Sequence, residues 1–196
     1  MLEVSYSEYT VFRTNFAQYY KQYILGIKDA PSRPMILGTI LHEACLLGKP
    51  FREPLTAHHF TADYIRSAEK LVGNPIWGTI PQKEVTIVSG EAQARLDGLE
   101  DGIHTIDEFK TSEAHWSQAR ADQHDQLTFY GMVYLDLHGL IPAFRLISGN
   151  VKNGKIVVFD TTRTPEQIEA VRYEVNAMVA YLKHHGLWEK RKKNKR

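Results

Sequence analysis

Arg95-Leu96-Asp97-Gly98-Leu99-Glu100-Asp101-Gly102-Ile103-His104-Thr105-Ile106-Asp107-Glu108-Phe109-Lys110-Thr111 is the stretch on which the reading of this chain turns. Asp101-Gly102 is a strong hairpin-turn pair. Glu91 to Leu99 reads as the strand before it, and His104 to Thr111 as the strand after it. Lys83 to Ser89, with Val85, Ile87 and Val88 and ended by Gly90, reads as a strand preceding both, so a three-stranded meander is predicted. Side chains alternate faces with period two, so Glu108 and Lys110 point the same way. The hairpin folds Asp97 back alongside them. An acid-x-Lys pair by itself recurs by chance in many strands; a second carboxylate brought next to it is more specific. Phosphodiester hydrolysis calls for this set. Carboxylates bind a hard Mg²⁺ or Mn²⁺ ion and leave positions for water and phosphate, the metal activates the water, and a lysine orients it or stabilises the developing charge.

Outward from this stretch the pattern alternates between helix and strand. Ser5 to Leu25 carries Tyr9, Phe12, Phe16, Tyr19, Tyr20 and Tyr23 at spacings of three and four, an amphipathic helix with Ser5 or Ser7 as N-cap. Asp29 to Pro34 is Pro-rich and interrupts helix. A second helix is predicted from Gly38 to Leu47 with His42 on it, then loop over residues 48–60 and a short helix over 61–72. After the meander a long helix is expected from Trp116 to His138, stopped by Gly139 and Pro142. Two strands, about 143–149 and 155–160, flank the Asn153-Gly154 turn. Thr164-Pro165-Glu166-Gln167 has the form of a capping box opening a last helix to about His185. This order implies an α/β sandwich with a mixed central sheet.

Composition narrows the class of protein without naming it. With 24 Lys and Arg against 23 Asp and Glu the net charge is +1, so bulk charge does not announce a nucleic-acid binder. Six of the last eight residues, Glu189 to Arg196, are Lys or Arg, which suits either a phosphate-tracking tail or a solvated, disordered end. Cys45 is the one cysteine, excluding an internal disulfide and any cysteine-based zinc or iron–sulfur centre. No apolar run reaches the ~18 residues of a membrane span, and Met1-Leu2-Glu3-Val4 lacks a secretory pattern; a cytoplasmic setting is expected. The adjacent pairs His58-His59 and His184-His185 lack ligand spacing on a helix and are expected to face solvent. No nucleophile elbow and no phosphate-binding Gly-rich loop is present, so no built-in ATP chemistry is expected.

Asp97-Gly98, then Glu108-x-Lys110-Thr111, resembles the PD-(D/E)XK nuclease superfamily in its RecB-like and phage-exonuclease branches. Gly38-Thr39-x-x-His42 resembles that branch's histidine-bearing helix, Glu84 matches an acidic position in its first strand, and Gln126-x-x-x-Tyr130 resembles its QxxxY motif. Ser5-x-Ser7 before an aromatic helix resembles how these domains begin, so the likeness spans about residues 5 to 160. It implies a restriction-endonuclease-like core in αβββαβ order with extra N-terminal helices. Residues 1–188 would form one nuclease domain and 189–196 a basic, disordered tail. It also implies a Mg²⁺- or Mn²⁺-dependent DNA exonuclease of end processing, recombination or repair, working with one or two ions, in a bacterial or phage-infected cell.

The resemblance assigns roles residue by residue. Asp97, Glu108 and Lys110 are catalytic; His42, Asp97, Glu108 and the Phe109 backbone carbonyl hold metal; Gln126, Tyr130, Arg95 and Thr111 meet substrate phosphate; Glu84 is accessory. From the residues alone, Arg95 suits a phosphate or a structural salt bridge equally. Asp107 faces the opposite side of the sheet from Glu108 and is read as structural. Some relatives hold an iron–sulfur cluster through four cysteines, which this chain cannot. DNA is the expected partner, with a single-strand annealing protein and a homo-oligomer added by analogy. An endonuclease on the same core, or a non-catalytic DNA-binding module, stay open as alternatives.

Overall fold

In a computed structural model that describes residues 3–194, the meander forms as the alternation requires. β1 (Gln82–Ser89), β2 (Ala92–Glu100) and β3 (Thr105–Ser112) pair antiparallel in sequence order. Gly90, at φ +55°, turns β1 into β2, a conformation glycine adopts without the Cβ penalty. The β2–β3 connection is longer than the two-residue turn expected: Asp101–Ile103 make a 3-10 turn, and His104 closes it at φ +50°. His104 is held there by the Tyr134 hydroxyl, 2.9 Å from its Nδ1.

β4 (Ala143–Asn150) lies parallel to β3, and β5 (Ile156–Thr161) closes the sheet antiparallel, giving the order β1-β2-β3-β4-β5. A parallel neighbour requires a crossover, supplied by α6 (Gln118–Asp122) and α7 (Asp125–His138). The single helix expected from Trp116 is therefore two. The break at Gln123-His124 is held by buried Arg163, whose guanidinium donates to the Ala121 and His124 carbonyls at 2.9 and 3.2 Å.

Helices cover both faces of this mixed sheet. On one face Leu96, Ile106 and Leu146 pack with α1 (Tyr6–Thr14), α7 and α8 (Pro165–His184) through Tyr9, Leu127, Val133 and Val175. On the other, Phe109 and Ile147 pack with Leu41 of α3 (Arg33–Leu47), Leu71 of α5 (Ala62–Val72) and Trp77. Each fully buried large apolar side chain contributes roughly 1.5–3 kcal/mol. α8 opens on the capping box read from the sequence, with Thr164 accepting from the Gln167 N–H.

Several helix boundaries differ from expectation for local reasons. α3 starts five residues earlier than Gly38 because Pro34 sits in its first turn, where a missing N–H costs nothing. The first helix stops at Thr14: Asn15 leaves helical conformation and recaps α2 (Phe16–Tyr19), accepting from the Gln18 N–H at 3.0 Å, before a π turn over Tyr20–Ile24. A short helix, α4 (Arg52–Ala57), occupies part of the expected loop. The largest correction is at the C-terminal end. Residues Trp188–Asn194 form α9, and Arg191 is fully buried against Glu8, so the disordered tail expected from residue 189 does not hold for that span; residues 195 and 196 lie outside the described residues. Among the described residues no helix is long and apolar enough to cross a membrane.

Candidate functional site

The β2–β3 ladder ends at the Gly98–Asp107 pair, and the site opens where the two strands part. Beyond that pair the Phe109 N–H donates to Asp97 Oδ2 at 2.7 Å, so a carboxylate satisfies a backbone group that a continued ladder would have used. Gly98 permits the close packing beside it: a Cβ there would lie 2.6 Å from Ile80 Cγ2 and 2.9 Å from the Asp107 Cβ. On β1, Glu84 stands level with Asp97, between the Lys83–Gly98 and Val85–Leu96 pairs, at φ +56°. A non-glycine residue in this region costs about 1–3 kcal/mol and persists only where the surrounding structure holds it there.

α3 brings His42 over the gap. Its Nε2 lies 2.7 Å from Asp97 Oδ1 and its Nδ1 3.3 Å from Glu84 Oε1. His42, Glu84 and Asp97 each place one ligand atom within 4.8 Å of the others, an arrangement that can hold a metal ion. Two buried carboxylate oxygens here, Glu84 Oε1 and Glu108 Oε2, have no hydrogen-bond partner. Unpartnered buried acceptors are costly, and a hard divalent cation satisfies several at once. The donor set fits such an ion.

Lys110 and Glu108 share a face of β3, as their spacing requires. Lys110 Nζ donates to Glu108 Oε1 at 2.5 Å and to Gln126 Oε1 at 2.7 Å, and Gln126 Nε2 donates in turn to the Tyr130 hydroxyl. Gln126 and Tyr130, one turn apart on α7, thus fix the lysine from the helix side. Thr111 lines the same open cleft, which has a volume of about 530 Å³. Arg95 also lines it, but its guanidinium is paired with Glu84, Nε to Oε2 at 2.6 Å. Of the two readings of Arg95, the salt bridge is present. Phe109 gives its N–H to Asp97, and its ring packs 4.6 Å from Trp77.

Asp107 points away from the cleft and forms a bidentate pair with Arg145, at 2.7 and 2.9 Å. Arg145 escaped the sequence reading because it faces Asp107 only through the parallel β3–β4 register, which no local pattern reveals. Gly38 and Thr39 of the His42 motif line the cleft, as do Met35 and Glu43 of α3, which no motif marks. His58, His59, His184 and His185 are exposed and away from it.

Negative charge dominates the site's electrostatics. Burial, with the Asp97 carboxylate adding to it, pushes the Glu108 carboxyl up to about 8 against the pull of Lys110. Burial draws the His42 imidazole down, yet its bond to Asp97 and the nearby carboxylates outweigh this and raise it. Lys110 is likewise raised, burial being outweighed by Glu108. All three shifts are upward, so the metal-free folded chain retains protons that the unfolded chain has released. Each contribution to stability is complete below that group's own ordinary pKa and is lost as pH rises through the raised one; for Glu108 the window runs from about 4.5 to about 8. Metal-free protein is therefore expected to lose stability across that window. Added Mg²⁺ or Mn²⁺ should raise the melting temperature more at pH 8 than at pH 5. Thermal unfolding with and without the ion checks this, and an equal metal effect at both pH values would contradict it.

No family model matches the sequence, and no curated protein matches it. Solved structures do. The crystal structure of a "Putative exonuclease" from Eubacterium rectale superimposes with a TM-score of 0.66 at 14% identity, covering 98% of this chain and 82% of that one. The crystal structure of LHK-Exo in complex with dAMP gives a TM-score of 0.57 at 17% identity, covering 98% of this chain and 94% of that one. The mixed five-stranded sheet with its flanking helices is a fold this chain shares with both proteins.

Proposed function

We propose that this chain is a Mg²⁺- or Mn²⁺-dependent DNA exonuclease of the PD-(D/E)XK superfamily, in its RecB-like or phage-type branch. The observation that carries this reading is the meeting of Asp97, Glu108 and Lys110 under His42 at the point where β2 and β3 part. His42, Asp97, Glu108 and the Phe109 carbonyl would hold one or two ions, with Glu84 as an accessory ligand. When bound, such an ion polarises a phosphoryl oxygen and lowers the pKa of its water. Lys110, steadied by Gln126, orients the attacking water or stabilises the charge gathering on phosphorus oxygens. Tyr130 and Thr111 complete the phosphate-facing wall, and Arg95 reaches phosphate by exchanging Glu84 for it. The shared fold supports an exonuclease, and the dAMP bound by LHK-Exo supports a nucleotide as the ligand class.

The biological setting of this reading is DNA end processing, recombination or repair in the cytoplasm, with a single-strand annealing protein and a homo-oligomer as partners. Digestion of linear and covalently closed circular DNA with Mg²⁺ tests the reading. Loss of the linear form with the circle intact is the expected result. Cutting of the circle would make the chain an endonuclease, and cutting of neither would make it a binding module.

A further inference from the structure

A second cleft, of about 520 Å³, lies beside the first and is walled by Tyr6, Ser117, Arg120, Gln123, His124 and Asp125. Both clefts reach the N-terminal end of α7, where Asp125 lines the second and Gln126, the partner of Lys110, lines the first. Arg120 lies flat against the Trp116 ring, 4.0 Å from its centroid, and no carboxylate among the described residues pairs with it. The carboxylates nearby are engaged elsewhere: Asp125 with Arg13 at 2.5 Å, and Asp122 with the Gln118 amide at 2.8 Å. Trp116 and His124, with ring centroids 5.2 Å apart, each bury a ring nitrogen that has no hydrogen-bond partner. Burial, then the charges of Lys110, Arg163 and Arg120 around it, hold His124 neutral. The wall thus carries a guanidinium fork that no carboxylate among the described residues neutralises.

We propose that this cleft is a phosphate subsite for a nucleic-acid strand, in which Arg120, braced on Trp116, holds a backbone phosphate flanking the bond positioned at Lys110. This rests on the reading of the chain as a nuclease. A stacked guanidinium is preorganised for a phosphodiester, and Asp125 and Gln126, neighbours at the start of α7, set its cleft near the one that holds Lys110. Arg120 touches the strand away from the reacting atoms, so it governs affinity and not the chemical step.

The test is fluorescence anisotropy of a fluorescein-labelled DNA oligonucleotide on the full chain in Ca²⁺, across a salt series, with cleavage in Mg²⁺ measured alongside. Arg120→Ala is expected to weaken binding roughly tenfold and to flatten the salt slope by about one, raising KM while kcat at saturating DNA holds. Arg120→Lys keeps a cation without the fork, so it should retain the salt slope while losing part of the affinity. Unchanged affinity and slope in Arg120→Ala, with wild-type cleavage intact, would remove the subsite and leave the nuclease reading standing. An equal fall in kcat for both variants together with a lowered melting temperature would also overturn it, as a structural role. Failure of the wild-type chain itself to bind or cut DNA would overturn both.

Discussion

Lys110→Ala is expected to slow DNA cleavage by at least roughly a hundredfold while the chain still folds. Removing a single positioned donor from a charge-stabilising site typically costs this much or more. Lys110 makes two contacts, to Glu108 and Gln126, and under the proposed function its loss removes both the orientation of water and a cation facing the reacting phosphate. The fold survives for a reason visible in the electrostatics. Glu108 already retains its proton up to about 8, so without the lysine it becomes a neutral buried acid and not a stranded charge. A lysine that served only as Glu108's counter-ion would leave cleavage nearly untouched when replaced by Met. Steady-state cleavage rates and melting curves for both variants separate the two roles.

The second large effect concerns stability. Arg191→Ala is expected to destabilise the protein by about 3–5 kcal/mol. Arg191 and Glu8 are both fully buried, and Glu8 also accepts from the Tyr19 hydroxyl at 3.2 Å. The Arg191 guanidinium lies 4.2 Å over the Trp188 ring, so the pair docks α9 onto the N-terminal helices. Removing the arginine leaves a buried carboxylate without its cation, which costs far more than the intact pair is worth. Replacing both partners with Met should recover most of the loss, because an apolar pair carries no desolvation cost. Urea unfolding of the single and double variants tests this; a loss below about 1 kcal/mol in Arg191→Ala would mean that α9 is not docked there.

These two sites also show what a sequence reading can reach. The five strands and the opening of α8 rest on period-two alternation, turn residues and a capping box, all settled within a few neighbouring positions. Asp97, Glu108 and Lys110 were legible from hairpin and strand spacing, and His42, Gln126 and Tyr130 only through the family resemblance; the structure brings all six to one cleft. What escaped depends on contacts between distant residues. Arg163 breaks the crossover helix from 42 positions away through the Ala121 carbonyl. Arg191 sits in a run that reads as solvated charge, and its partner is 183 residues distant. The parting of β2 from β3, where Asp97 takes the Phe109 N–H, and the left-handed Glu84 on β1 are features that no propensity encodes.

Asp97 is where fold and proposed chemistry meet, and it offers the most direct test. Asp97→Asn keeps the shape and an acceptor for the Phe109 N–H, but removes the charge that faces His42. The decisive measurement is the rate of nucleotide release from linear DNA by wild-type and Asp97→Asn protein as Mg²⁺ is titrated from chelator upward. The wild-type chain should be silent in chelator and cut as Mg²⁺ is added, while Asp97→Asn stays at background throughout with its melting temperature preserved. Cleavage by Asp97→Asn at the wild-type rate, or undiminished wild-type cleavage in chelator, would contradict the account.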